Sequence, residues 1–176
     1  MTRPTSNHQG DTVIGPPDAV RSAAREAMRL KTLERWKASF DNAAPDSPLL
    51  VSRLDLGGLY SYIVSFRIGP RITARIRLTA ADGLFAEAIG IGESTPALPP
   101  YLPVPEIFTR LLTTPLATTA EFTLPNVDPF LVWRPCAQSL SIFAPFYLLR
   151  YGGDRLQYFD AISGRFFDSL TGGAGI

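Results

Sequence analysis

The sequence predicts an α+β protein built from two copies of one unit, an antiparallel sheet packed on a helix. The helix is long in the first copy and short in the second. Three observations carry this expectation. The first is an internal echo: Phe146 to Leu170 repeats the order of Tyr62 to Ile89. In each stretch an apolar run meets a glycine turn, Gly69-Pro70 in one and Gly152-Gly153 in the other. A second alternating run follows, then an Ala-x-x-Gly turn, Ala80 to Gly83 and Ala161 to Gly164. After each turn come an aromatic, a carboxylate and an aliphatic at steps of two: Phe85, Glu87, Ile89 and Phe166, Asp168, Leu170. The second observation is a helical stripe of apolar residues ahead of the first copy. The third is the proline-rich run Gly90 to Pro105, which reads as an extended linker. The chain therefore divides into a flexible arm (1–15), a first repeat (16–92), a linker (93–105), a second repeat (106–171) and a frayed tail (172–176).

Each element has a local reason. Residues 1–15 are rich in Thr, Ser, Asn, Gly and Pro. They bury too little apolar surface to offset the entropy of ordering, so a mobile arm is expected. Pro16-Pro17-Asp18 opens a helix, because the first turn has no use for the N–H that proline lacks. Val20, Ala23, Ala27, Leu30, Leu33, Trp36 and Phe40 recur at steps of three and four, predicting one helix that ends near Phe40. From Leu49 the period becomes two. Tyr62, Val64 and Phe66 alternate with Ile63, Ser65 and Arg67, and Ile72, Ala74, Ile76 and Leu78 with Arg71, Thr73, Arg75 and Arg77, which predicts half-buried strands. Pro105-Glu106 starts a short helix over Ile107, Phe108, Leu111 and Leu112. Glu121 to Pro129 reads as a loop or edge segment, since Pro125 and Pro129 argue against a central strand there.

Composition excludes several functions. The net charge of the 176-residue chain is +1, so no global field recruits nucleic acid or an anionic membrane. No stretch reaches the roughly 18 apolar residues of a membrane span, and the N-terminus has no apolar run of signal-peptide type. Cys136 is the one cysteine, which excludes an intramolecular disulfide. The expectation is a cytoplasmic protein with neither nucleic-acid nor membrane partner. One His and one Cys do not make a transition-metal site with nitrogen or sulfur ligands. A Cys136–His8 nucleophile would need the arm to reach the second repeat. No glycine loop between strand and helix cradles a phosphate, so no cofactor is expected.

The turn Phe159-Asp160-Ala161-Ile162-Ser163-Gly164-Arg165-Phe166 resembles the PepSY family, with its hydrophobic-Asp-Ala-x-Ser/Thr-Gly-x-hydrophobic pattern. The first copy, Thr79-Ala80-Ala81-Asp82-Gly83-Leu84-Phe85, lacks the leading Asp. The resemblance covers about 25 residues of each copy. It implies cystatin-like sheets wrapped on a helix and a binding or inhibitory module.

The candidate site follows from the two carboxylates. If Glu87 and Asp168 share a strand face with their aromatic and aliphatic neighbours, that face is best placed in solvent, since a buried carboxylate is costly unless paired. Leu84, Ala86 and Ala88 would then pack on the helix. Arg71, Arg75 and Arg77 would project on the outer face with Phe85 and Ile89, forming a basic surface with apolar patches that suits an anionic or peptide-like ligand. Arg53, Arg67, Arg71, Arg75 and Arg77 face only Asp55 in their own stretch, while residues 78–130 hold six carboxylates against one Arg, so the two stretches could instead pair with each other. Trp133 and Arg134 lie at the mouth of the second copy, whose strands are apolar on both faces and need cover from the first copy, a second subunit or a ligand. The leading expectation is a non-catalytic module that recognises a peptide or protein segment, with Arg71, Arg75, Arg77, Phe85, Ile89, Trp133 and Arg134 in contact with it. Alternatives are a small-molecule binder or metal-independent enzyme using Glu87 or Asp168 as acid/base, and a structural homodimer partner.

Overall fold

A computed structural model of the protein describes residues 13–57, 59–91, 96–113, 126–150 and 156–172, with 126–130 as backbone. These residues form three helices and a mixed sheet of nine strands, an α+β fold. The expected arm lies outside the described residues except for Val13 to Gly15, and the tail except for Gly172. The Gly152-Gly153 turn and the linker residues 93–95 also lie outside.

Helix α1 spans Pro16–Lys31 and α2 spans Glu34–Phe40. The single helix expected from the periodicity is broken at Leu33, whose backbone is extended (ψ 125°). Thr32 draws the chain out of the helix, its hydroxyl bonding the Arg29 carbonyl at 2.8 Å. The break lets Trp36 and Phe40 turn onto the sheet, where Phe40 meets Phe66 edge to face at 5.1 Å.

The strands are β1 (Ala44–Pro45), β2 (Leu49–Arg53), β3 (Tyr60–Ile68), β4 (Arg71–Thr79) and β5 (Phe85–Gly90). Helix α3 (Val104–Leu112) follows, then β6 (Asn126–Trp133), β7 (Phe146–Arg150), β8 (Leu156–Asp160) and β9 (Phe166–Phe167). Their order is β5-β4-β3-β2-β6-β7-β8-β9, with β1 beside β3. Two antiparallel meanders are joined through their first strands, β2 and β6, which run parallel with Val51 beside Leu131 and Arg53 beside Trp133. β6 is thus central. Pro129 falls between Val127 and Leu131, where the ladder with β7 slips, and its missing N–H breaks no register there.

The core has two parts. Ala19, Ala23, Ala27 and Leu30 of α1 lie on Tyr62, Val64, Phe66, Ala74, Ile76 and Leu78. Small side chains on the helix permit close approach, and each large apolar group buried here stabilises the fold by about 1.5–3 kcal/mol. Ile63 points the other way. It belongs with Val51, Leu131, Tyr147, Phe159 and with Ile107 and Leu111 of α3. The segment leading into α3 crosses this second face, so the two helices serve opposite sides of the sheet.

The two meanders share local contacts. Ile14 N–H bonds the Ala80 carbonyl at 2.8 Å, and Leu102 N–H bonds the Ala161 carbonyl at 2.7 Å. Tyr62 donates its hydroxyl to the Ile14 carbonyl (2.9 Å), and Tyr147 donates its own to the Leu102 carbonyl (3.0 Å). Gly83 and Gly164 close the corresponding turns at φ 71° and 74°. Ala80 and Ala161 are both buried beneath them.

Candidate functional site

The strand face expected to form an open basic surface is roofed. Arg71, Arg75 and Arg77 do share one face of β4, but the chain from Pro96 to Tyr101 lies across it. Arg71 donates to the Pro96 carbonyl and Arg75 to the Pro99 carbonyl. Arg75 is 1% exposed, and its guanidinium stacks on the Tyr101 ring at 4.1 Å. A proline-rich segment has few N–H groups to satisfy its own carbonyls, so those carbonyls are free to accept from arginine. The roof is closed by the Leu98 N–H to the Ile72 carbonyl (2.7 Å) and by Tyr101, whose hydroxyl donates to the Phe143 carbonyl (3.0 Å). Burial pushes the Tyr101 phenol up to about 12.

Phe85, Glu87 and Ile89 do not share a face. A bulge in the β4–β5 ladder sets Phe85 beside Leu78 and Glu87 beside Arg77. The extra residue turns Phe85 toward α1, where the Arg29 guanidinium covers its ring at 5.5 Å. Glu87 stays outside and accepts from Arg77 Nε at 2.6 Å, so the basic and acidic stretches do pair with each other at this point. Ile89 packs against the α3-side core. Leu84 is exposed rather than packed on the helix.

In the second meander Asp168 is exposed and accepts from the buried Gln157 Nε2 at 2.5 Å. It lies with Arg134 and Tyr158 on the wall of an open depression of about 490 Å³. Arg134 donates to the Leu170 carbonyl. Trp133 is core: its indole N–H bonds Ser139 Oγ at 3.3 Å, and Arg53 stacks on its ring at 4.9 Å.

Gly57-Gly58 reads from the sequence as a bulge or turn; what that reading passed over is the leucines around it in the β2–β3 connection, Leu54, Leu56 and Leu59. Leu54, Leu56 and Leu59 are 41%, 48% and 49% exposed. The described ends of the loop are anchored. Arg53 grips Asp55 with two bonds of 2.9 and 2.7 Å, which holds the Asp55 carboxyl below the usual carboxylate range. The Arg53 N–H bonds the Leu59 carbonyl and the Leu54 N–H bonds the Trp133 carbonyl, at 2.8 and 2.9 Å. Beside the loop a cleft of about 220 Å³ opens over Tyr60, Ser61, Arg77 and Thr79, with Val13 and Asp82 on its far rim. A signal was there to be read: leucines at every second or third place around two glycines are out of keeping with a solvated turn.

Arg77 is the one expected ligand contact that borders this cleft. Among the described residues no group of three or more His, Cys, Asp or Glu side chains stands together as a metal ion would require. No described helix is long and apolar enough to cross a membrane. Comparison with known families, with curated proteins and with solved structures returns no match.

Proposed function

We propose that this chain is a non-catalytic binding module that recognises a peptide or protein segment through the Leu54–Leu59 loop and the cleft beside it. One observation carries the reading: three exposed leucines sit on a loop fixed at its base by an arginine–carboxylate pair and two backbone bonds. Single surface leucines are ordinary, but Leu56 and Leu59 both line the cleft and Leu54 lines the neighbouring depression, so a partner meets apolar side chains on a loop whose ends are already anchored, and less entropy is lost on docking. Arg77, held by Glu87 at the cleft floor, adds a charged group for the partner's polar atoms.

The same proposal takes the two meanders as diverged copies of a cystatin-like, PepSY-like unit working in the cytoplasm. The paired helix-entry bonds and matched turns support that reading. The test is selection from a displayed library of random peptides with the wild-type protein and with a Leu54→Ser, Leu56→Ser, Leu59→Ser variant. The wild type should enrich apolar peptides and the variant none, while both keep the same circular dichroism. Enrichment of the same peptides by the variant would remove the loop from the site. Light scattering at twice 19.2 kDa, lost in the variant, would show instead that the loop binds a second copy of this chain.

A further inference from the structure

Arg75 is a charge with no counter-charge among the described residues. Arg53, Arg67, Arg77 and Arg110 each hold a carboxylate. Arg75, the most deeply buried of the described arginines, is bonded by Ser65 Oγ (3.4 Å to its Nε), the Pro99 carbonyl and the Tyr101 ring, all of them neutral. Burying an ion with only neutral partners is costly, and the cost falls when an anion comes close. Burial accordingly lowers the pKa of this guanidinium from its ordinary value, with Tyr101 acting in the opposite sense and Arg67 adding to the depression.

An open pocket of about 360 Å³ lies one side chain away: Arg75 does not line it, but two of its walls, Ser65 and Tyr101, are groups that touch Arg75. The other polar walls are Ser47, Asp46, Arg67 and Tyr147. Arg67 gives Nε to Asp46 and Nη1 to the Pro70 carbonyl, which leaves Nη2 for a ligand. Ser65 Oγ accepts from Arg75, so its own proton is free to turn into the cavity. Tyr101 and Tyr147 spend their protons on the Phe143 and Leu102 carbonyls and offer ring faces and edges. Asp46 and Arg67 on the lining balance each other, so the unbalanced positive charge near the pocket is that of Arg75, behind Ser65 and Tyr101.

We propose that this cavity is a site for a compact oxyanion, a carboxylate or phosphate group, seated on Arg67 and Ser65 with Arg75 behind them as its fixed counter-charge. It is separate from the leucine loop and does not depend on it. The probes are sodium acetate and inorganic phosphate, each against sodium chloride at equal ionic strength, on the whole chain. The readouts are the Arg75 Nε–H resonance and the thermal midpoint. A saturable shift of that resonance with a rise in midpoint is expected for at least one probe, acetate marking a carboxylate ligand and phosphate a phosphoryl one. Arg67→Gln, at a half-buried position, keeps the fold and should weaken the response about tenfold or more. Ser65→Ala should weaken it less. Chloride acting as well as both probes, or Arg67→Gln responding as the wild type does, would overturn the assignment.

Discussion

Gly83 and Gly164 both carry positive φ, and at each an added Cβ would press on a neighbour, which at Gly164 is the movable end of Arg110. A Cβ on Gly83 would stand 2.9 Å from Ile14 Cδ1, and one on Gly164 would stand 2.8 Å from Arg110 Cζ. Alanine at either place combines backbone strain with overlap. Each variant should lose about 1–3 kcal/mol in urea unfolding. Tyr62→Phe and Tyr147→Phe each remove one hydroxyl-to-carbonyl bond at a helix entry, and each should cost about 1 kcal/mol by the same measurement. Tyr101 gives a pH signature. Its phenol titrates higher folded than unfolded, so the stability it contributes is complete below pH 10 and lost as pH rises toward 12. Alkaline unfolding followed by tyrosinate absorbance should show this loss, and Tyr101→Phe should reduce it. Arg75 and Tyr147 face the same phenol, Arg75 opposing the shift and Tyr147 adding to it. The Ala-x-x-Gly turns were legible in the sequence because their geometry is local. The fate of Arg75 was not, because its acceptor lies 24 residues further along the chain.

At the level of elements, the strands and short helix follow their periodicities, while three joints depart from them. Leu33 breaks the long helix, a bulge re-aims Phe85, and Pro129 sits inside a central strand. Each is a one-residue irregularity that alternation of apolar and polar residues does not encode. The bulge matters most for function, since it dissolved the expected Phe85–Glu87–Ile89 face. The linker's packing was not legible for a related reason: its proline content says nothing of where the Pro96 and Pro99 carbonyls find their arginine donors. α2 is held where it is by Gly90, at which a Cβ would lie 2.8 Å from Trp36 Cζ3 and 3.0 Å from Ser39 Cβ. Gly90→Ala should push α2 outward, cost about 1–3 kcal/mol, and shift the Trp36 emission, while leaving Trp133 unchanged.

Over the whole molecule, the α3-side core mixes residues of both meanders, Val51 and Ile63 with Ile107, Tyr147 and Phe159. The two halves should therefore unfold together. Single-tryptophan variants reporting at Trp36 and at Trp133 are expected to give coincident urea transitions; separated midpoints would show independent halves. The α+β class and the helix-then-strands order were readable from local pattern. The sheet order was not, since nothing in the spacing of residues says that β2 and β6 lie side by side.

That junction has a consequence for synthesis. Val51 acquires its neighbour Leu131 only after the ribosome has added about 80 further residues, and at about 5–20 residues per second the outer edge of β2 waits roughly 4–16 seconds without a pairing strand. A nascent chain halted near Leu112 should pair that edge with another like it and sediment as oligomers. Chains extended past Trp133, which carry β6 to cover that edge, should sediment as smaller species than those halted before it.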